Sequence, residues 1–330
     1  MSPAANAAQA QRWNGASGLY WIEHRERHLA EHRYLTPHLF RAAGISPGEC
    51  VLDVGCGCGT TTIAAARAAQ GTARDTPDAW LPRRDGSDGV AVGLDLSAPM
   101  LGVARQLAAQ AGTVNARFVQ GDAQACPFRR NSCDLMISNF GVMFFNDPGA
   151  AFASIAAVVR PHGRLAFLCW QDDTQNEVFA IPMRPFGAHM QLPGPAASDL
   201  FTDPRQITEL LSGAGWKDIQ ITPVTEPAWI GSDVDDAMSY VRGMPMIRTL
   251  AASIEDPALT EHLLAAVADE YAARQHPDGV WVRAAAWLVT ARRALPAGVH
   301  GRANVPKLDG DPLSKYRRLK NPVTLRRLPT

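Results

Sequence analysis

Between residues 50 and 170, short apolar runs alternate with segments that have helical spacing. Five of these runs, each six to nine residues long, have the length and composition of buried strands. Consecutive strands that are joined through helices lie parallel and need right-handed crossover connections. The chain is therefore predicted to be an α/β protein with a doubly wound, mostly parallel sheet. Two later strand-like runs bring the predicted sheet to seven strands.

The same pattern divides the chain into a core and added segments. The first residues predict a helical lid that ends at Gly44, because their apolar positions fall roughly on one helical face. A Gly/Pro/Asp-rich stretch at 71–89 is too long for an ordinary connection and predicts a surface insertion. Two segments rich in Met and aromatic residues would either cap an apolar pocket or pack a small core of their own. The predicted division is a lid at 1–45, a core at 46–170, 203–230 and 280–294, a substrate cap at 171–202 and 231–279, and a basic tail at 295–330.

Charge and hydropathy exclude some classes of protein. The chain has no net charge, so no overall attraction to nucleic acid is expected. The tail has eight Lys and Arg against two Asp, a net charge of +6, and we expect a solvated, poorly ordered extension there. No apolar run approaches the roughly 20 residues that span a bilayer, and the first residues do not resemble a secretory signal. A cytoplasmic protein without a membrane partner is expected.

The stretch VLDVGCGCGTT at 51–61 is compatible with a metal site or with a loop of bare backbone. A structural zinc site needs four ligands, and no second pair matches Cys56 and Cys58 at a suitable spacing. No metal is therefore expected. The cysteines lie mostly in strand-like runs, which predicts reduced core cysteines. They are Cys50, Cys56, Cys58, Cys126, Cys133 and Cys169.

Three glycines in this stretch predict a tight turn that brings backbone against a ligand at a helix N-terminus. Gly55, Gly57 and Gly59 stand at every second position, whereas a dinucleotide fingerprint would place its third glycine at Thr60. The pyrophosphate fingerprint is thus broken. Asp53 precedes the first glycine by two residues, where it would suit a cofactor that carries an ammonium group or would brace the loop through backbone amides.

Two further strand ends carry carboxylates. Asp95 ends the second strand, where it would accept hydrogen bonds from vicinal ribose hydroxyls. Asp122 ends the third strand, where it would accept from the exocyclic amine of a purine. Because parallel strands end at one edge of a sheet, these side chains predict an extended nucleoside ligand across the switch point.

Together these motifs resemble those of class I S-adenosylmethionine-dependent methyltransferases, in the bacterial branch of the ubiquinone/menaquinone-biosynthesis enzymes. VLDVGCGCGT, VGLDLSAPML, GDAQACPF and SNFGVMFFNDP with VRPHGRL correspond to the family's motifs, and the likeness spans about residues 10–294. The resemblance implies a Rossmann-like fold, S-adenosyl-L-methionine as cofactor and S-adenosyl-L-homocysteine as its product. The cofactor-binding residues that it implies are Tyr20, Asp53, Gly55, Gly57, Cys58, Asp95, Leu96, Met100, Asp122, Ala123, Asn139 and Phe140.

The N-terminal helices have two roles in this resemblance. In relatives that act on natural products, an aromatic residue of this segment covers the cofactor, and helices are exchanged between subunits. The resemblance thus implies Tyr20 or Trp21 as a cover and a homo-oligomer formed through these helices. Alternatively, the two aromatic residues fasten the helix to the sheet. His24, His28 and His32 recur every four residues among charged side chains and are predicted to form a solvated face.

Methyl transfer requires the protein to align an acceptor with the activated methyl group and to exclude water. A general base is needed only if the acceptor loses a proton, and Glu177 and His189 are the candidates. Phe145, Trp170 and Trp229 are expected to face a hydrophobic small molecule. A terpenoid, alkaloid or quinone methylated at carbon, nitrogen or oxygen is the expected acceptor. A nicotinamide-dependent oxidoreductase and a non-catalytic nucleoside-binding module remain as alternatives.

Overall fold

The computed structural model describes residues 6–70, 89–190 and 200–294, and a sheet of eight strands lies at the centre of this part of the chain. The strands are β1 (Cys50–Val54), β2 (Val90–Asp95), β3 (Ala116–Gln120), β4 (Cys133–Asn139), β5 (Val159–Trp170), β6 (Trp216–Gly231), β7 (Gln275–His276) and β8 (Gly279–Arg293). Their order across the sheet is β3, β2, β1, β4, β5, β8 and β6, and β7 pairs with β8. The first five strands pair in parallel, and β8 is antiparallel to its neighbours.

This topology confirms the predicted α/β fold with a doubly wound, mostly parallel sheet. The reversal of strand order between β1 and β4 is the switch point at which ligands bind in such sheets. The sequence predicted seven strands, and the additional strand is β7. Because β7 has only two residues, it has no apolar periodicity that could reveal it.

Four short helices precede the sheet. They are α1 (Ala7–Asn14), α2 (Ala16–Glu23), α3 (Arg25–Glu31) and α4 (Thr36–Ala43). The last one ends at Gly44, whose left-handed φ of 52° forms the expected helix stop. Arg164 of β5 donates to the carbonyl groups of Ala43 and Gly44 and so ties this end to the sheet. Gly15 interrupts the chain between α1 and α2, whereas backbone hydrogen bonds from His24 to Tyr20 and from His28 to His24 continue the helical ladder from α2 into α3.

Further contacts fasten the N-terminal helices to the chain after β2 and to the chain after β6. Asn14 donates to the carbonyl of Leu96 and accepts from the amide of Ala98, which follow β2. Arg27 of α3 donates to the carboxylate of Asp236 and lies over the Tyr240 ring at 4.9 Å. The helices therefore lie across the carboxyl ends of the strands and also contact the region after β6.

The remaining helices flank the sheet or follow it. They are α5 (Thr60–Ala69), α6 (Ala98–Gln110), α7 (Pro148–Val158), α8 (Glu177–His189), α9 (Pro204–Gly213), α10 (Val234–Gly243), α11 (Pro245–Ala252) and α12 (Pro257–Ala272). The division into lid, core and cap stays a prediction. Residues 71–88 of the predicted insertion, 191–199 of the predicted cap and the tail at 295–330 lie outside the described residues. No helix within the described ranges is long and apolar enough to cross a bilayer.

The turn that enters the long part of β5 holds a side chain in a glycine conformation. His162 has a φ of 65°, and its side chain is exposed. A residue with a Cβ is strained in this left-handed region, whereas glycine adopts it readily.

We expect His162→Gly to stabilise the protein by about 1 kcal/mol, because relief of this strain outweighs the added freedom of the unfolded chain. Urea denaturation monitored by circular dichroism measures the change. The control is His262→Gly in the middle of α12, where glycine should destabilise the helix by several tenths of a kcal/mol, up to about 1 kcal/mol. Equal destabilisation by both substitutions would contradict the strain at residue 162.

Candidate functional site

A cavity of about 180 Å³ lies at the carboxyl ends of β1, β2 and β4, beneath the N-terminal helices. Its wall includes ten of the predicted cofactor residues. These are Gly55, Gly57, Cys58, Asp95, Leu96, Met100, Asp122, Ala123, Asn139 and Phe140. The helices add Trp13, Trp21, Arg25, His28, Leu29, His32 and Thr36 to the wall. Residues that are far apart in sequence are thus brought together at the switch point of the sheet.

The glycine loop after β1 brings bare backbone to this cavity. Gly57 has a φ of 53°, and a Cβ built on it would have its nearest neighbours 3.9 Å away, at Met100 and Trp21. At Gly55, by contrast, a Cβ would lie 2.8 Å from the Cα of Gly141. Gly55 is therefore required for the packing of two loops, whereas Gly57 leaves space that a ligand can occupy.

Asp95 joins the glycine loop to the loop after β2. One carboxylate oxygen accepts from the amide of Gly57 at 2.8 Å, and the other accepts from the amide of Ser97 at 2.8 Å. Burial raises the pKa of Asp95, while these amides oppose the rise. Each oxygen has further lone pairs, so the carboxylate can also accept hydrogen bonds from a diol in the cavity. The bracing of Gly57 is a role that the sequence did not reveal.

Asp53 lies behind the loop and not on the cavity wall. Its Oδ2 accepts from the hydroxyls of Thr61 and Thr62 at 2.6 Å each. Its Oδ1 is buried and has no partner within the described residues. Burial raises the pKa of Asp53 to about 6, although the two hydroxyls act in the opposite direction. These contacts brace the start of α5 through side-chain hydroxyls, whereas the sequence suggested a brace through backbone amides of the loop.

The opposite wall of the cavity is aromatic. Phe140 stacks on Trp170 with ring centroids 3.9 Å apart, and His32 lies 4.6 Å from Phe140. Phe140 itself has a φ of 64°, a strained conformation that is rare for a bulky residue and is typical of functional sites. Phe145 also lines the cavity. Trp170 lies behind Phe140, so it supports this wall and is not itself part of it.

Besides Asp53 and Trp170, four other predicted site residues lie away from the cavity wall. Tyr20 stacks on His24 and does not line the cavity. Trp21, which was the other residue predicted to cover the cofactor, does line it. Trp229 lies under the guanidinium of Arg27. Glu177 forms an ion pair with Arg274 at 3.0 Å. Burial alone would raise the pKa of Glu177, but Arg274 lowers it overall. The carboxylate is therefore charged and paired with Arg274 at neutral pH. His189 is exposed at the end of α8.

The prediction that the three N-terminal histidines form a solvated face was wrong. His28 and His32 are 8% and 7% exposed, and both line the cavity. Between them lies Glu31, which is 4% exposed, with oxygens 3.7 Å from Nδ1 of His28 and 3.5 Å from Nε2 of His32. Trp21 stacks on His28 with ring centroids 3.8 Å apart, so the side of α3 that carries His28 continues the side of α2 that carries Trp21. A spacing of seven residues from Trp21 to His28 and of four from His28 to His32 is the sequence signal that could have revealed this, because it places all three on one helical face.

The residues present fit the cofactor that the sequence resemblance implies. Open backbone at Gly57 suits a compact amino-acid group, and the Asp95 carboxylate suits two ribose hydroxyls. Met100 and Leu96 supply an apolar surface for a purine, with Asp122 beside it on the wall. Burial raises the pKa of the Cys58 thiol to about 11, so it is neutral and packs as a small apolar group.

Comparisons with known proteins agree with this geometry. The family model described as a methyltransferase domain matches residues 45–197. The chain is 31% identical over 162 residues to a ubiquinone/menaquinone biosynthesis C-methyltransferase of Marinomonas sp., an alignment that covers 49% of this chain and 58% of that protein. It is 30% identical over 141 residues to a demethylmenaquinone methyltransferase of Lactiplantibacillus plantarum, with coverages of 42% and 53%. The chain thus spans little more than half the length of these curated relatives.

Solved structures show the same fold at lower sequence identity. The YcgJ protein of Bacillus subtilis has 19% identity and a TM-score of 0.51, and the match covers 80% of this chain and all of that one. A protein of Bacillus halodurans has 16% identity and a TM-score of 0.50, with coverages of 78% and 98%. These likenesses extend beyond residues 45–197 and concern the fold alone.

The raised pKa of Asp53 predicts a pH dependence of stability. The folded chain keeps a proton on this carboxyl that the unfolded chain loses between about pH 4 and pH 6. The contribution of Asp53 to the free energy of unfolding therefore falls, by up to about 3 kcal/mol, as the pH rises through this window. In Asp53→Asn this contribution is absent. The stability of the variant relative to the wild type should thus increase from pH 4 to pH 7 in urea denaturation.

The control for this effect is Asp203→Asn, because Asp203 caps α9 at the surface and accepts a backbone hydrogen bond from Arg205. Its stability relative to the wild type should not show that increase. A difference between Asp53→Asn and the wild type that stays constant from pH 4 to pH 7 would contradict the assignment.

Proposed function

We propose that this chain, whose residues 45–197 match the family model described as a methyltransferase domain, is a class I S-adenosylmethionine-dependent methyltransferase that transfers a methyl group to a hydrophobic small molecule. The observation that supports this most strongly is the cavity at the switch point. There, Asp95 and the open backbone of Gly57 face one space together with an aromatic wall. One end of this space suits a nucleoside, and the other suits an apolar acceptor.

The cofactor supplies a methyl group that is already activated by its positively charged sulfur, so the protein has three tasks. The loop at 55–59 and Asp95 hold the cofactor in one orientation. Phe140, supported by Trp170, gives a flat acceptor a surface on which to stack. Trp13 and Trp21 close the cavity from the side of the N-terminal helices and limit the access of water. Alignment and water exclusion together account for a large part of such catalysis.

We infer the chemical class of the acceptor from the residues of the cavity wall and from the names of the curated relatives. The residues Phe140, Phe144, Phe145 and Leu29 make one side of the cavity apolar. The curated relatives are named as a ubiquinone/menaquinone biosynthesis C-methyltransferase and a demethylmenaquinone methyltransferase. We therefore propose a quinone-like ring compound first, and a terpenoid or alkaloid of secondary metabolism second. The atom that receives the methyl group is carbon, nitrogen or oxygen.

We propose two further properties on sequence grounds. One is a cytoplasmic location. The other is a homo-oligomer formed through the N-terminal helices, which is supported by the apolar side chain of Leu19, which is 58% exposed and lies off the cavity wall. Size-exclusion chromatography with light scattering tests it, and Leu19→Ser should shift the mass toward the monomer. A monomeric wild type would contradict this proposal.

Asp95→Ala should weaken the binding of S-adenosylhomocysteine at least about tenfold, because hydrogen bonds to a charged group contribute about 1.5 to 3 kcal/mol. The variant loses the contact with the ribose and also the brace on Gly57. Isothermal titration calorimetry of the full chain measures the affinity. Asp203→Ala is the matched control, since it removes an aspartate cap outside the cavity and should leave the affinity unchanged. Unchanged affinity in Asp95→Ala would contradict the site.

The transfer reaction itself is tested with labelled S-adenosylmethionine and a panel of hydroquinones, terpenoids and alkaloids. The expected result is a product heavier by one methylene group, detected by mass spectrometry. Binding of the cofactor without any labelled product would favour a nucleoside-binding module. A rise in melting temperature with NADH, but not with S-adenosylhomocysteine, would favour an oxidoreductase.

A further inference from the structure

The imidazole of His28 is buried at the wall of the cavity with one nitrogen unused. Its ring stacks on Trp21 with centroids 3.8 Å apart, and the side chain is 8% exposed. Nδ1 lies 3.4 Å from the hydroxyl of Tyr240 and 3.7 Å from a carboxylate oxygen of Glu31. Nε2 has no hydrogen-bond partner within the described residues. Leaving a buried polar nitrogen unpaired is costly, so a ligand that supplies a partner would be favoured.

The charges around this ring determine which nitrogen holds the proton. Burial opposes the ionisation of Glu31, but the two imidazoles beside it outweigh burial and lower the pKa of Glu31 to about 2. Glu31 is therefore an anion at neutral pH. Burial lowers the pKa of His28, so its ring is neutral there. A neutral ring with Nδ1 facing a carboxylate keeps its proton on Nδ1, and this leaves the lone pair on Nε2.

Other ionisable groups pack around the same ring. His24 and Tyr20 approach from the end of α2, Arg27, Glu31 and His32 from α3 and the turn after it, Tyr240 from α10 and Tyr271 from α12. Burial raises the pKa of Tyr20 to about 12 and also raises the pKa values of Tyr240 and Tyr271. The three phenols therefore stay neutral, so that Glu31 is the anion beside the ring.

We propose that His28 is the general base of the reaction, with Glu31 and Tyr240 as positioning residues, and that the acceptor bears an acidic hydroxyl group of a phenol or enol. This inference rests on the proposed function and narrows its acceptor. The hydroxyl proton moves to Nε2 of His28. The freed electron pair of the acceptor, at oxygen or at the conjugated carbon, forms the bond to the methyl carbon. The bond between methyl and sulfur breaks, and its electron pair stays on sulfur.

The surroundings of His28 favour this step. Once Nε2 has gained the proton, the ring is a cation 3.7 Å from the Glu31 carboxylate, which stabilises it in a site with little water. Phe140 and Trp170 form an adjacent flat surface for an aromatic ring. An alkene acceptor has no proton to release before transfer and would leave the unpaired Nε2 without a partner.

His28→Asn tests the base and His24→Asn is its matched control. Both histidines stack on a neighbouring aromatic ring, but His24 is not on the cavity wall. With a hydroquinone acceptor, His28→Asn should lower kcat at least about 100-fold, and the loss of activity at acid pH should disappear. His24→Asn should keep the wild-type kcat and pH profile. Both variants should bind S-adenosylhomocysteine as the wild type does.

A second readout does not depend on turnover. Imidazole nitrogen NMR of the histidine-labelled full chain, with S-adenosylhomocysteine bound, reports the tautomer and pKa of each ring. The His28 signals, identified by their absence in His28→Asn or in His28→Gln if the former does not fold, should show the proton on Nδ1. The pKa of His28 should fall further in Glu31→Gln, because the nearby carboxylate is lost, and the acid limb of the activity profile should move to lower pH with it.

The outcomes separate the two proposals. A proton on Nε2 of His28, or equal turnover in His28→Asn and the wild type, would contradict the assignment of His28 as the general base. Neither result would contradict the cofactor site. Transfer to methyl ethers of the phenols at the same rate as to the phenols would also overturn it. Absence of S-adenosylhomocysteine binding in the wild type would instead overturn the proposed function.

Discussion

The carboxylate of Asp95 connects the glycine loop after β1 to the loop after β2 at the carboxyl edge of the sheet. Its two oxygens accept from the amides of Gly57 and Ser97, so the glycine loop and the start of α6 keep a fixed separation at the switch point. Hydrogen bonds from backbone amides to a buried carboxylate are stronger than those between neutral groups. The shape of the nucleoside end of the cavity depends on them. The same carboxylate faces the cavity, so the brace and the ligand contact belong to one side chain.

The end of the cavity that we propose for the acceptor is built differently, because the N-terminal helices contribute side chains to it beside those of the sheet. Trp21, His28 and His32 come from these helices, whereas Phe140 is contributed by the end of β4. Asn14 and Arg27 fasten the helices over both ends of the site. We therefore propose that the sheet and its loops hold the nucleoside cofactor and that the helices determine which acceptor binds. A buried ion group such as Glu31 with its histidines contributes little net stability, which favours a functional reason for it.

The sequence predicted the core well because its signals are local. Strand length, helical spacing and the spacing of Gly55, Gly57 and Asp95 report the sheet and the loops directly. Some predicted site residues lie away from the cavity because their partners are distant in sequence. Glu177 pairs with Arg274, and Trp229 lies under Arg27, contacts that no local pattern reveals. The buried histidines were missed for a related reason, since their neighbours in sequence are charged, whereas the rings that cover them, Tyr240 and Phe140, are distant in sequence.

The most direct measurement is a crystal structure of the full chain with S-adenosylhomocysteine. We predict that the ribose hydroxyls lie within hydrogen-bond distance of the Asp95 carboxylate, that the amino-acid group lies along Gly57, and that the sulfur faces the wall formed by Phe140 and His28. A ligand bound elsewhere, or a cavity that stays empty at saturating ligand, would contradict this account.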